Sequence, residues 1–146
     1  MKTNKKNEID REIIISSSYC NIIKQIVCSH SGISINKLLV FAYIVKKNRF
    51  YEFDIYSGRD GNDLVFKAIS QISGSFDDYC ESVQFIVFAI HLLAINNVIS
   101  FHAGHLFWPD AKAKVTIGFS RFIDKTLDES GPLSDRQFLK EVISNV

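Results

Sequence analysis

Apolar positions recur at helical spacing in several separate stretches of this 146-residue chain. Tyr19, Ile22, Ile23, Ile26 and Val27 follow the i, i+3, i+4, i+7 rule and predict a helix ending near Ser31-Gly32. Ser34 then offers an oxygen to the first free amides of a second helix, with Ile35, Leu38, Leu39, Ala42, Tyr43 and Val45 on its apolar face. It closes at Lys46-Lys47-Asn48-Arg49, where basic side chains suit the negative end of the helix dipole. The Ser31-Gly32-Ile33-Ser34 connection leaves room only for a sharp corner, so the pair is predicted to resemble a helix-turn-helix.

Phe50 to Tyr56 alternates aromatic or apolar with acidic residues and reads as either a strand or an extended arm. After the break at Ser57-Gly58-Arg59-Asp60-Gly61, Leu64, Val65, Ala68, Ile69 and Ile72 predict a third helix ending at Gly74. A fourth is expected from Asp78, which has capping-box spacing with Glu81, to about Asn96. Because that helix is apolar nearly all round, it is the expected centre of the core. Val98 to Phe101 and Leu106 to Trp108, separated by Gly104, predict two short strands around a turn. Val115-Thr116-Ile117 adds a third strand or leads into a helix over about Ser120 to Leu127. A last helix, opened by Ser134 and Gln137 at capping-box spacing, carries Phe138, Leu139, Val142 and Ile143. The expected fold is mainly α with a small β-hairpin, in the order of a winged helix-turn-helix. One domain over residues 12–146 is expected to follow a flexible polar tail over 1–11.

Composition narrows the function classes. Hydrophobic residues at 47% and charged residues at 23% exclude a disordered chain. Seventeen basic against sixteen acidic residues, net +1, exclude a global field drawing the protein to nucleic acid or anionic lipid. Cys20, Cys28 and Cys80 are odd in number, lack CxxC spacing and lie in apolar runs, which predicts buried free thiols in a reducing, cytoplasmic setting. Met1 to Arg11 has no apolar stretch of signal-peptide length. Val83 to Ile95, interrupted by Gln84 and His91, is shorter than the ~20 residues of a membrane span and reads as a buried helix.

Candidate chemistry is sparse. His102 and His105 would share a metal only if their backbone were helical, and Gly104 predicts a turn there, so no metal is expected. His91 reads as a hydrogen-bonded core residue and His30 as a partner of a helix end. Ser57 to Gly61 lacks the lysine and the strand-to-helix setting of a phosphate cradle. No nucleophile, base and orienting group share a local signature, so neither catalytic residues nor cofactors are expected. For DNA, the conceivable phosphate contacts are Lys46, Lys47, Arg49, Lys112 and Lys114. The aromatic residues Phe50, Tyr51, Phe53, Tyr56, Phe107 and Trp108 are of the types that interfaces enrich, and form the expected partner surface.

Ser18 to Ile23, leading to Ser31-Gly32-Ile33-Ser34-Ile35-Asn36-Lys37-Leu38-Leu39-Val40-Phe41 and closing at Val45-Lys46-Lys47, resembles the opening helix pair of the small middle components of three-component ABC ATPase systems. Phe85 to Leu93, running into Val98-Ile99-Ser100, is similar to the same family. Where such components continue with a basic, proline-containing segment, this chain has Phe50 to Tyr56. The resemblance implies a winged-helix protein accompanying an SMC-like ABC ATPase and a separate effector, often a nuclease, in bacterial anti-phage defence of the Lamassu type. The expected role is a non-catalytic adaptor joining the two; the alternative is a winged-helix DNA-binding regulator, and an enzyme assembled across the fold is a third class.

Overall fold

The computed structural model describes residues 2–47, 63–70, 72–109 and 121–144. Helix α1 runs over Lys2–Ser29, strand β1 over Ile33–Ser34 and helix α2 over Ile35–Lys46. Helices α3 (Asp63–Ser70) and α4 (Phe76–Ile95) follow, then strands β2 (Ser100–His102) and β3 (His105–Phe107), and finally α5 (Arg121–Ser130) and α6 (Asp135–Ser144). The protein is mainly helical with a small antiparallel sheet in the order β1-β3-β2.

The corner between α1 and α2 is built as its residues dictate. Gly32 takes φ +93°, which costs little without a Cβ. Ser34 is extended and accepts a hydrogen bond from the Lys37 amide at 3.3 Å, capping α2. Here the corner also acts as a strand: Ile33 pairs with Leu106 and Ser34 with His105, flanked by hydrogen bonds from Gly32 N to Leu106 O and from Ile35 N to Gly104 O. In the hairpin, Ala103 and Gly104 both have positive φ, as a two-residue type I′ turn requires.

Helices α1, α2 and α4 pack on one another, while α3 sits on α5 and α6. Tyr19, Ile23, Ile26, Leu38, Phe41, Tyr43 and Ile86 are buried in the common core, which reaches α6 through the Phe41 and Phe138 rings, 5.5 Å apart. Helix α4 ends in a Schellman motif: Asn97 is left-handed at φ 59°, and Val98 N and Asn97 N donate to Leu93 O and Ala94 O.

Four expectations change. The predicted tail over residues 2–11 is the start of α1; without Gly or Pro through Ser29, the backbone continues as helix although side chains 4–14 are exposed. Helix α4 is not the all-round centre of the core. It buries Ile86, Ala89, Ile90 and Leu93, whereas Val87, Phe88, His91 and Ile95 face outward. It starts two residues earlier than predicted, so its 20 residues are long and apolar enough to cross a membrane by length and composition alone. Of the cysteines, Cys20 and Cys28 are half-buried but Cys80 is exposed. The aromatic run Phe50 to Tyr56 and the segment Val115 to Ile117 lie outside the described residues.

Candidate docking surface

The hairpin displays aromatic rings. Residues opposite one another across antiparallel strands share a face of the sheet, so Phe101 stands with Leu106, and Phe107 with Ser100. Leu106 is buried, yet Phe101 beside it on the edge strand is 55% exposed, and Phe107 is 38% exposed. The Phe107 ring lies over Gly32, where a Cβ would come 3.6 Å from its Cε1. Trp108 is half-buried against the core, with its backbone amide donating to Ser31 Oγ at 3.0 Å. Of the expected partner residues, Phe107 therefore presents its ring and Trp108 chiefly packs; Phe50, Tyr51, Phe53 and Tyr56 lie outside the described residues. Phe101 escaped the sequence reading, although alternation through Ser100-Phe101-His102 on a short edge strand was the available signal.

Of the expected DNA contacts, Lys46 and Lys47 lie among the described residues. Lys46 is half-buried, and Lys47 Nζ pairs with Asp78 Oδ2 at 3.1 Å while lying 5.7 Å from the Tyr43 ring centre. The Tyr43 hydroxyl donates to the same carboxylate oxygen at 2.7 Å. Asp78 thus ties α4 to α2 instead of closing a capping box with Glu81; Ser75 holds the N-cap position and makes no side-chain cap. Arg49, Lys112 and Lys114 lie outside the described residues. Asn36 and Lys37, the other polar residues of α2, face inward. Asn36 Nδ2 donates to Asp135 Oδ2 at 3.0 Å, and Lys37 Nζ donates to the carbonyls of Ser130 and Leu133 at 2.8 and 2.6 Å. Burial pushes the Lys37 ammonium below the usual lysine range, against the pull of Asp135. Burial pushes Asp135 up, but hydrogen bonds from Ser34 and Asn36 and the charges of Lys37 and His105 outweigh it and hold the carboxyl below 3.8.

A polar cleft of about 410 Å³ lies between this corner and the end of α5, bordered by His30, Ser34, Lys37, His105 and Asp128. Those groups are committed. His30 Nε2 lies 3.3 Å from Asp124 Oδ1 and its Nδ1 lies 3.1 Å from Asp128 Oδ1, so both contacts attract only when both ring nitrogens carry hydrogen. His105 Nδ1 lies 3.0 Å from the Ala103 carbonyl. His102 and His105 are directly opposite across the hairpin, and among the described residues no group of three His, Cys, Asp or Glu is arranged to hold a metal. His91, expected in the core, is exposed. Burial raises the Cys20 thiol and the Tyr19 hydroxyl, and pushes Tyr79 up to about 12, so these groups resist ionisation.

A second apolar surface lies between α1 and α4. Ile9, Ile13, Phe85 and Phe88 border a groove of about 400 Å³ with Glu12 and Gln84 at its rim. Ile95, seven residues beyond Phe88 and 59% exposed, continues the Phe88 face along α4. No family model, curated protein or solved structure matches the chain.

Proposed function

We propose that the protein is a non-catalytic, cytoplasmic adaptor of winged-helix type that joins an SMC-like ABC ATPase to an effector such as a nuclease in a Lamassu-type anti-phage defence complex. The element order supports the winged-helix part: helix, strand and helix lead to a helix followed by a hairpin, and the corner strand pairs with the second hairpin strand. In that reading α4 takes the place of the helix that enters the DNA groove in winged-helix regulators.

One observation carries the preference for a protein partner. Helix α4 bears Asp77, Asp78 and Glu81 in its first turns and has no Lys or Arg from Phe76 to Ile95, while the adjoining hairpin exposes Phe101 and Phe107. Phosphates repel such a helix, and exposed apolar rings on the hairpin favour a protein surface. The pairing of Lys47 with Asp78 further weakens the DNA-regulator alternative. The identity of the partners rests on the resemblance of Ser31 to Phe41 and Phe85 to Leu93 to middle components of ABC ATPase systems.

Co-expression with the products of adjacent genes tests the reading. A complex containing a long coiled-coil ATPase is expected, and Phe101→Glu, at the more exposed ring, should release at least one subunit with little change in the melting temperature. Recovery of the free chain alone, or a salt-dependent shift of duplex DNA with no protein complex, would count against it.

A further inference from the structure

We propose that His30 is a pH-sensitive latch: as an imidazolium ion it clamps α5 to the end of α1 beside the polar cleft, and on losing its proton it releases that stretch of α5. The geometry suits only the charged ring. Asp124 and Asp128 stand four residues apart, on one face of α5, and the imidazole enters between them with Nε2 3.3 Å from Asp124 Oδ1 and Nδ1 3.1 Å from Asp128 Oδ1. An ionised carboxylate can only accept, and a neutral imidazole has a single N–H, so one nitrogen of a neutral ring would direct its lone pair at a carboxylate oxygen. With its side chain only 13% exposed, the ring has little water to turn to instead.

The surroundings make His30 the deciding group. Around the cleft, α2 contributes Lys37 and β3 contributes His105. Lys37 Nζ is spent on the carbonyls of Ser130 and Leu133, while His105 Nδ1 faces the Ala103 carbonyl and its ring helps to hold the Asp135 carboxyl of α6 low. Helix α4, which also packs on α1, carries no Lys, Arg, Asp or Glu after Glu81, and its one histidine, His91, is exposed. Two cationic side chains from the α1–α2 corner therefore hold α5, Lys37 at its C-terminal end and His30 before it. Of the two, only an imidazole ordinarily changes charge between about pH 5 and 8. The clamp is complete on the acid side of that range and is lost as the pH rises through it, which leaves α5 on the Lys37 cap and the cleft of about 410 Å³ free to widen.

Hydrogen exchange of the full chain at about pH 5.5 and 7.5, corrected for intrinsic rates, tests the latch. Protection of the α5 amides around Asp124 and Asp128 should fall about fivefold at the higher pH relative to those of α4, the size expected of partly exposed ion pairs. His30→Gln should leave α5 equally weak at both pH values. Asp128→Asn should keep it protected at both, because the new amide can donate to the lone pair of a neutral ring. His105→Gln should preserve the wild-type response. Equal protection of the wild-type chain at both pH values overturns the proposal, as does a response that survives His30→Gln or vanishes with His105→Gln. An Asp128→Asn chain weakened at both pH values overturns it too, by assigning the carboxylate a purely structural role.

Discussion

Lys37 Nζ lies 2.6 Å from the carbonyl oxygen of Leu133, so a lysine of α2 closes the turn joining α5 to α6. Carbonyls at a helix C-terminus lack intrahelical donors and carry the negative pole of the dipole, which makes a buried ammonium group a fitting cap. Lys37→Met fills similar space without donors. It should destabilise the fold by about 1–3 kcal/mol in urea unfolding, because the carbonyls of Ser130 and Leu133 lose their charged partner.

The same joint sets an acid limit. Because the folded-state value of Asp135 is depressed below 3.8, its contribution to stability is complete above that pH and fades as the pH falls through the folded value. Asp135→Asn should therefore flatten the loss of stability below about pH 4, measured as urea midpoints across the acid range. An unchanged acid limb would contradict the assignment.

His30 holds α5 to the end of α1 through Asp124 and Asp128. The carboxylates are substantially exposed, so His30→Ala should cost only about 1 kcal/mol overall. Its effect should be local: faster amide exchange in α5, with the amides of α4 unchanged.

Asp78 accepts from the Tyr43 hydroxyl and pairs with Lys47. Asp78→Ala should lower stability by about 1–2 kcal/mol. It also frees Lys47, so a gain of salt-sensitive DNA binding would show that the carboxylate suppresses such contact, whereas no gain favours the protein-partner reading.

Ala103 holds φ 50° without the side-chain hydrogen bonding that makes Asn tolerant of this conformation. Ala103→Asn should stabilise the hairpin by about 0.5–1 kcal/mol, read as a raised melting temperature.

Local signals in the chain were legible where no distant group competed for them. Ser134 and Gln137 form both halves of the predicted capping box, with Ser134 N donating to Gln137 Oε1 at 3.0 Å and Gln137 N to Ser134 Oγ at 3.2 Å. Ser34 caps α2 as its position suggested. Asp78 had the same apparent signature but is claimed by Tyr43 and Lys47 from another helix, which no local pattern reveals. Periodicity marked α1 only from Tyr19 because burial begins near there; the earlier turns bury no face that would leave a pattern. The inward roles of Lys37 and Asn36 leave no local signal, since the carbonyls and carboxylate that hold them come from a corner nearly a hundred residues away. The outward stripe of Val87, Phe88 and Ile95 was hidden for the opposite reason: its residue types match those of the buried side of α4.

The pairing of Ile33 with Leu106 has a kinetic consequence. The two residues are about seventy positions apart, so their ladder forms only after the intervening helices have folded back and closed that loop. The hairpin can form on its own turn, but its attachment to the α1–α2 corner must wait for that long closure.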